Sequence, residues 1–265
     1  MNLLSFKINH IGILCAMPEE IGTFIKNLID ISEYIYGDLK IYSGFWEDPK
    51  QGNKIMISLA WSGWGKVSSS RATTRLISHT EKSNKIDLLI FTGVAGAAKK
   101  VINQWDVVIP EKLIQHDMDA RPLFNRYEIP ALKKGILSPP NQWIEWAKST
   151  IEYAILSKQL VKFNEIHTGL LATGDTFISE EIVLNDLNKR IPNLLALEME
   201  GAAFAQVACQ ENIPWLVIRT ISDNADGLAA QEFTEFLSEY KFESNKLLNI
   251  LIKNHVNAPW EKKSN

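Results

Sequence analysis

The chain has 265 residues, 46% of them hydrophobic, and a formal net charge of -3 at pH 7. That apolar fraction supports a sizeable core, and the near-balanced charge gives no general electrostatic reason to bind nucleic acid or an anionic membrane. Met1 to His10 carry one basic residue and no cleavage-site pattern, and no run approaches the roughly 18 apolar residues of a membrane span. The two cysteines, Cys15 and Cys209, lie far apart in apolar surroundings, which is no disulfide framework and fits a reducing cytoplasm.

In chain order, Ile11 to Met17 is a continuous apolar run that predicts a strand buried on both faces. Pro18, Glu19 and Glu20 follow, with Ile21, Phe24, Ile25 and Leu28 at helical spacing, and this predicts a helix whose first-turn acids face the positive end of its dipole. Strands are expected at Leu39–Phe45 and Lys54–Trp61 around a polar turn at Glu47–Asn53. A loop at Ser62–Lys66 leads to a helix at Val67–Thr80, and Ile86–Phe91 is a second apolar strand ending in a loop of small residues, Thr92–Ala98. Asp106–Ile109 and Lys112–Gln115 read as short strands, and Asp117–Pro140, with prolines at 122, 130, 139 and 140, as an ordered loop. Beyond it come a helix at Gln142–Leu156, a strand at Glu165–Ala172 and a helix at Glu180–Lys189 with Ser179 as its cap. An alanine-rich helix at Met199–Gln210, a strand at Trp215–Thr220 and an amphipathic helix at Glu232–Ile252 complete the pattern.

Alternating strands and helices, with no repeat or linker, predict one α/β domain over residues 1–256. It should be a three-layer sandwich around a central mixed, mostly parallel β-sheet, with a frayed polar tail at 257–265. Sites in such sheets collect at the carboxyl ends of strands, here the loops after residues 16, 91, 172 and 219.

Several motifs fail on spacing. Gly63-Trp64-Gly65-Lys66 lacks the spacer and the metal-binding hydroxyl of a phosphate loop, and Gly93-Val94-Ala95-Gly96 lacks the three-glycine dinucleotide pattern. His116-Asp117-Met118-Asp119 has no second histidine at a useful distance and reads as a polar strand end rather than a metal site. No Gly-x-Ser-x-Gly elbow exists and neither cysteine has an evident base, which leaves a mechanism run by carboxylates, without metal or cofactor.

The carboxylates concentrate beside apolar runs, where burial has to be compensated. Singly, Glu20 reads as an ordinary helix-start acid, Asp223 equally as a turn cap, Glu198 and Glu200 as a solvated and a capping acid, and Phe177 and Phe233 as core. Together at strand ends they read as a site. Five segments in order carry a resemblance: Ala16-Met17-Pro18-Glu19-Glu20, Thr92-Gly93-Val94-Ala95-Gly96, Thr173-Gly174-Asp175-Thr176-Phe177-Ile178, Glu198-Met199-Glu200 and Ile221-Ser222-Asp223-Asn224-Ala225-Asp226. From about Ile11 to Leu251 the chain resembles the purine nucleoside phosphorylase/nucleosidase superfamily, in particular its methylthioadenosine/S-adenosylhomocysteine nucleosidases.

The resemblance implies hydrolysis of the bond between adenine and ribose in 5'-thio nucleosides. It makes Asp223 the acid that protonates adenine N7, oriented by Ser222, and Glu20 the base that activates water near Arg219. Glu200 would bind ribose hydroxyls over Met199, with Glu198 in support, while Phe177 stacks on the purine, the Ile178 backbone reads its edge and Phe233 covers base and sugar. Met17 and Gly96 join the binding set. It also implies a homodimer, with Leu123 and Phe124 at the interface. Two positions depart from the bacterial pattern: Val94 replaces a serine that helps hold water, and Trp64 replaces a small aliphatic residue by the 5' pocket. Two other readings stay open: a phosphate-dependent phosphorylase, disfavoured by Glu20 and the lack of a basic residue after the first strand, and a nucleoside-binding protein without catalysis, which Val94 motivates.

Overall fold

The computed structural model describes residues 8–50, 52–80, 84–225 and 228–259. At the middle of the sheet runs β1 (His10–Cys15), buried at every position. Its partners are β4 (Lys54–Trp61) and β5 (Leu88–Ala97), both parallel to it. On the far side of β4, β3 (Leu39–Glu47) and β2 (Leu28–Tyr36) add antiparallel.

The helix expected from Pro18 does not form. Two short 3₁₀ turns, Pro18–Glu20 and Phe24–Asn27, take its place, and the chain then enters β2. The break falls at Gly22, whose φ of +58° leaves the helical region and whose missing Cβ lets its backbone lie against that of Lys241. The apolar spacing belongs instead to packing: Ile21 and Phe24 point into the core beneath the last helix.

After α1 (Lys66–Thr80), β5 runs six residues beyond the expected strand end at Phe91, so that the small residues from Thr92 to Ala97 are strand and not loop. They stay in strand because β9 (Trp215–Asp223) pairs parallel with β5 from Leu89 to Gly96. The two short strands expected around residue 110 form one strand, β6 (Val107–Gln115), bulged between Pro110 and Lys112 where proline cannot donate to the ladder. Then follow α2 (Asn141–Leu156), β7 (Ile166–Thr173) and α3 (Glu181–Arg190). The residue before α3 is Glu180, without a side-chain capping bond, so Ser179 is not its cap. A strand that the sequence reading passed over, β8 (Leu194–Glu198), precedes α4 (Gly201–Gln210). The chain ends with β9 and α5 (Ala229–Lys253).

Among the described residues the nine strands form one mixed sheet in the order β2-β3-β4-β1-β5-β8-β7-β6-β9. Because β5 also pairs with β9, the second half curls into a barrel of β5, β8, β7, β6 and β9. One face of the sheet packs on α2 and α5 through Trp143, Ile151, Leu247 and Leu251, and the other on α1 and α4 through Leu76 and Phe204. A third cluster lies beneath α3, around Leu187, Leu194 and Ile178. Burying each such side chain contributes about 1.5–3 kcal/mol. The result is the expected three-layer α/β arrangement in one domain. No described helix is long and apolar enough to cross a membrane. Residues 1–7, Asp226 and 260–265, most of the expected polar tail, lie outside the described residues.

Candidate active site

The carboxyl ends of β1, β5, β7, β8 and β9 converge on a cleft. Its lining includes Met17, Glu20, Trp64, Gly96, Phe177, Ile178, Glu198, Met199, Glu200, Ser222, Asp223 and Phe233. Every candidate residue read from the sequence is therefore brought to one place except Arg219, which is fully buried, and Leu123 and Phe124, which are exposed on the loop after β6 and do not line the cleft.

Glu20 reaches the cleft because the 3₁₀ turn at Pro18 doubles the chain back on β1. Its Oε2 accepts the amides of Ala16 at 2.6 Å and Met17 at 2.9 Å, and its Oε1 accepts that of Val94 at 3.0 Å. Burial pushes the Glu20 carboxyl above its ordinary value, against the pull of Arg219 and of the three amides. Val94 lines the cleft beside it, so the position that lacks a hydroxyl still serves Glu20 through its backbone.

At the other side, Asp223 ends β9. Ser222 Oγ donates to its Oδ2 at 2.7 Å and the Ala225 amide to its Oδ1 at 2.9 Å. Gly96 makes room for it, since a Cβ there would stand 2.8 Å from Oδ1.

Between them, the Glu198-Met199-Glu200 segment joins β8 to α4. Glu198 is spent on structure: Oε2 accepts the amides of Glu200 at 3.0 Å and Gly201 at 2.7 Å and pairs with Arg219, while Oε1 accepts Thr173 Oγ1. Glu200 Oε1 accepts the Gly65 amide at 2.9 Å, and its Oε2 lies 3.6 Å from Arg219. Burial, then the charge of Glu198, pushes the Glu200 carboxyl up to about 8.

Arg219 stacks on Phe91, with Cζ 4.6 Å from the ring centroid. Its Nε and Nη1 are buried without a hydrogen-bond partner among the described residues, and Nη1 lies against Gly93 beside Glu20. Side chains at the mouth form an aromatic row: Phe177 to Phe233 and Phe233 to Trp64 are edge-to-face, each with centroids 5.9 Å apart.

The sequence reading missed two supports. Gly65 holds Glu200 by its amide at a φ of +91°, where a side chain would be strained. Thr173 bridges Glu198 and the Ala202 amide, which it receives at 2.8 Å. The acids in His116-Asp117-Met118-Asp119 are engaged by cations: Asp117 pairs with Lys66 and Asp119 with Arg121.

Chemically, the cleft is lined by four carboxylic acids and by no lysine or arginine among the described residues. Two of the acids, Glu20 just after β1 and Asp223 at the end of β9, share this cleft, which gives it two groups able to give or take a proton.

The sequence model of the phosphorylase superfamily matches residues 10–253. The 5'-methylthioadenosine/S-adenosylhomocysteine nucleosidase of Staphylococcus aureus (strain JH9) is 33% identical over 243 residues, 91% of this chain and 98% of that protein. A solved structure of the like-named nucleosidase of Colwellia psychrerythraea 34H, in complex with adenine, superposes with a TM-score of 0.84 at 27% identity, covering 97% of this chain and 100% of that one. The futalosine hydrolase of Helicobacter pylori strain 26695 superposes with a TM-score of 0.80 at 28% identity, covering 93% and 98%. The chain thus belongs to the phosphorylase superfamily, in its family of 5'-methylthioadenosine/S-adenosylhomocysteine nucleosidases.

Proposed function

We propose that this protein hydrolyses the N-glycosidic bond of adenine nucleosides, with 5'-methylthioadenosine and S-adenosylhomocysteine as substrates, releasing adenine and a 5-thio-ribose. The observation that carries the reading is the composition of the cleft: among the described residues four acids line it and no lysine or arginine does. Cleavage of such a bond builds positive charge on the sugar, which an ionised carboxylate stabilises, whereas a phosphate nucleophile would find no cation on this lining to hold it. Water is the nucleophile this lining favours.

In this reading Asp223 protonates adenine N7 and makes the base a better leaving group, a contribution of about 10²–10⁴-fold. Ser222 fixes its orientation. Glu20 takes the proton from the attacking water, and the upward push of burial brings it nearer to neutrality, where a general base works best. Arg219, buried with Nη1 beside Glu20, acts through Glu20, whose carboxylate it helps hold, and Glu20 places the water in the absence of a serine at position 94. Glu200 holds ribose hydroxyls over Met199, and Phe177 stacks on the purine while the Ile178 backbone reads its edge. Phe233 covers base and sugar, and Trp64, edge-to-face with it, stands by the 5' pocket. The active form is a cytoplasmic homodimer, for which the support is Leu123 at 84% exposure beside Phe124 on one loop.

Adenine release in phosphate-free buffer, compared across methylthioadenosine, adenosylhomocysteine, 5'-deoxyadenosine and adenosine, tests the reading. Hydrolysis without phosphate is expected, and strict phosphate dependence refutes it. Tight binding without turnover would favour a nucleoside-binding protein instead.

A further inference from the structure

Two loops that frame the cleft, those of Trp64 and Phe177, are tied together outside it through the loop after β6. Lys66 Nζ donates to Asp117 Oδ1 at 2.6 Å, and Asp117 Oδ2 accepts the Asp175 amide at 3.0 Å. Asp175 Oδ1 in turn accepts the Lys66 amide at 2.8 Å, and its Oδ2 lies 3.8 Å from Lys66 Nζ. Lys66 is the first residue of α1, so Asp175 caps that helix from a different loop, opposite the positive end of its dipole. The approach is close: a Cβ on Gly65 would stand 3.0 Å from Asp175 Oδ1.

The neighbours of these residues give the ring its meaning. The residue before Lys66 is Gly65, whose amide holds Glu200, and the one before that is Trp64. Two residues after Asp175 comes Phe177. The ring therefore joins the loop that holds the sugar-side acid to the loop that carries the base-side aromatic. Asp117 and Asp175 do not line the cleft. We propose that Lys66, Asp117 and Asp175 are positioning residues that fix the spacing between the ribose wall and the base wall. The inference rests on the reading of Glu200 and Phe177 given under the proposed function.

The two acids should differ in what they tolerate. Asp117 receives one donor on each oxygen, so it must present two acceptors, and an asparagine would turn an NH₂ towards a donor. Asp175 uses mainly one oxygen as acceptor, which an asparagine can supply. Asp175→Asn should therefore stay within about threefold of wild type in KM, while Asp175→Ala and Asp117→Asn raise KM for methylthioadenosine about tenfold. The value of kcat should fall less than about threefold, because Glu20 and Asp223 keep their own hydrogen bonds. Inhibition by free adenine, which touches one wall only, should weaken less than nucleoside binding does.

Steady-state kinetics of the three variants, with thermal unfolding to verify the fold, form the experiment. A carbocyclic nucleoside analogue, whose base is not held by a glycosidic bond, gives affinities independent of turnover. Analogue binding that weakens in Asp175→Ala and Asp117→Asn but not in Asp175→Asn supports the inference even if wild type proves not to hydrolyse nucleosides, an outcome that removes only the proposed activity. Unchanged nucleoside affinity in both damaging variants, or equal losses in Asp175→Asn and Asp175→Ala, overturns it.

Discussion

Arg219 and Glu198 form an ion pair at the floor of the cleft, with side-chain exposures of 0% and 3%. Glu198 simultaneously accepts the Glu200 and Gly201 amides at the start of α4. One carboxylate thus neutralises a buried guanidinium and caps a helix, which removes it from direct work on a ligand. Glu198→Gln would leave Arg219 with Glu200 at 3.6 Å as its nearest remaining ion pair. Breaking a buried pair on one side costs about 3–5 kcal/mol, so urea denaturation should show a loss of that size. A loss below about 1 kcal/mol would contradict the assignment.

Asp223→Asn should lower the rate of adenine release by about 10²–10⁴-fold with the fold intact. The amide side chain can still accept from Ser222 or from the Ala225 amide, but it has no proton to give at neutral pH. Circular dichroism and a single-turnover assay separate the two effects, and activity like that of wild type would remove Asp223 from the acid role.

Glu20→Gln places an NH₂ against a carboxylate site built from three amide donors. At least one of those donors must lose its partner, at about 1–3 kcal/mol. Turnover should fall by a comparable general-base factor of about 10²–10⁴-fold, and the acidic limb of the pH–rate profile should disappear with it. Retention of that limb would show that another group titrates there.

Glu200 makes the stability of the fold depend on pH. Its carboxyl stands at about 8 in the folded chain against an ordinary value near 4.5. Between those values the folded state holds a proton that the unfolded state has released, so this group's contribution is full below the lower value and is lost as pH rises through the upper one. Glu200→Gln should therefore gain stability relative to wild type between pH 5 and pH 9, by about 3 °C in Tm for each kcal/mol recovered. A Tm difference that is flat across that range, measured by calorimetry, would rule the ionisation out.

Gly93→Ala tests the close approach of Arg219 to Glu20. A Cβ on Gly93 would overlap Arg219 Nη1 and the Glu20 carboxyl, and Tyr240 OH already contacts the Gly93 carbonyl at 3.4 Å from behind. The side chains must move apart by something on the order of 1 Å, a displacement that costs roughly 10²-fold in rate. Kinetics close to wild type would mean that the two groups need not adjoin.

The alternation of strands and helices was legible because buried parallel strands read as short apolar runs, as at Ile11 to Leu14 and Ile86 to Phe91. The candidate residues were legible because acids and aromatics stand out at the ends of such runs. Local periodicity misled where a contact from far along the chain intervened. Ile21, Phe24, Ile25 and Leu28 have helical spacing, yet Gly22 against Lys241 breaks the turn. Thr92 to Ala97 look like a loop of small residues, yet pairing with β9 keeps them extended. The strand β8 has five residues, too few for a period to show.

By itself, then, the sequence determined the class of fold and which side chains could carry chemistry, since both follow from local patterning and residue type. Tertiary structure decided the division of labour among the acids. Glu198 and Glu200 differ by two positions and share a residue type, and only the position of Arg219 and of the Thr173 and Gly65 groups separates them. The ring of Lys66, Asp117 and Asp175 spans 109 residues of chain and has no local signature, because a hydrogen bond between distant loops leaves no period in the sequence.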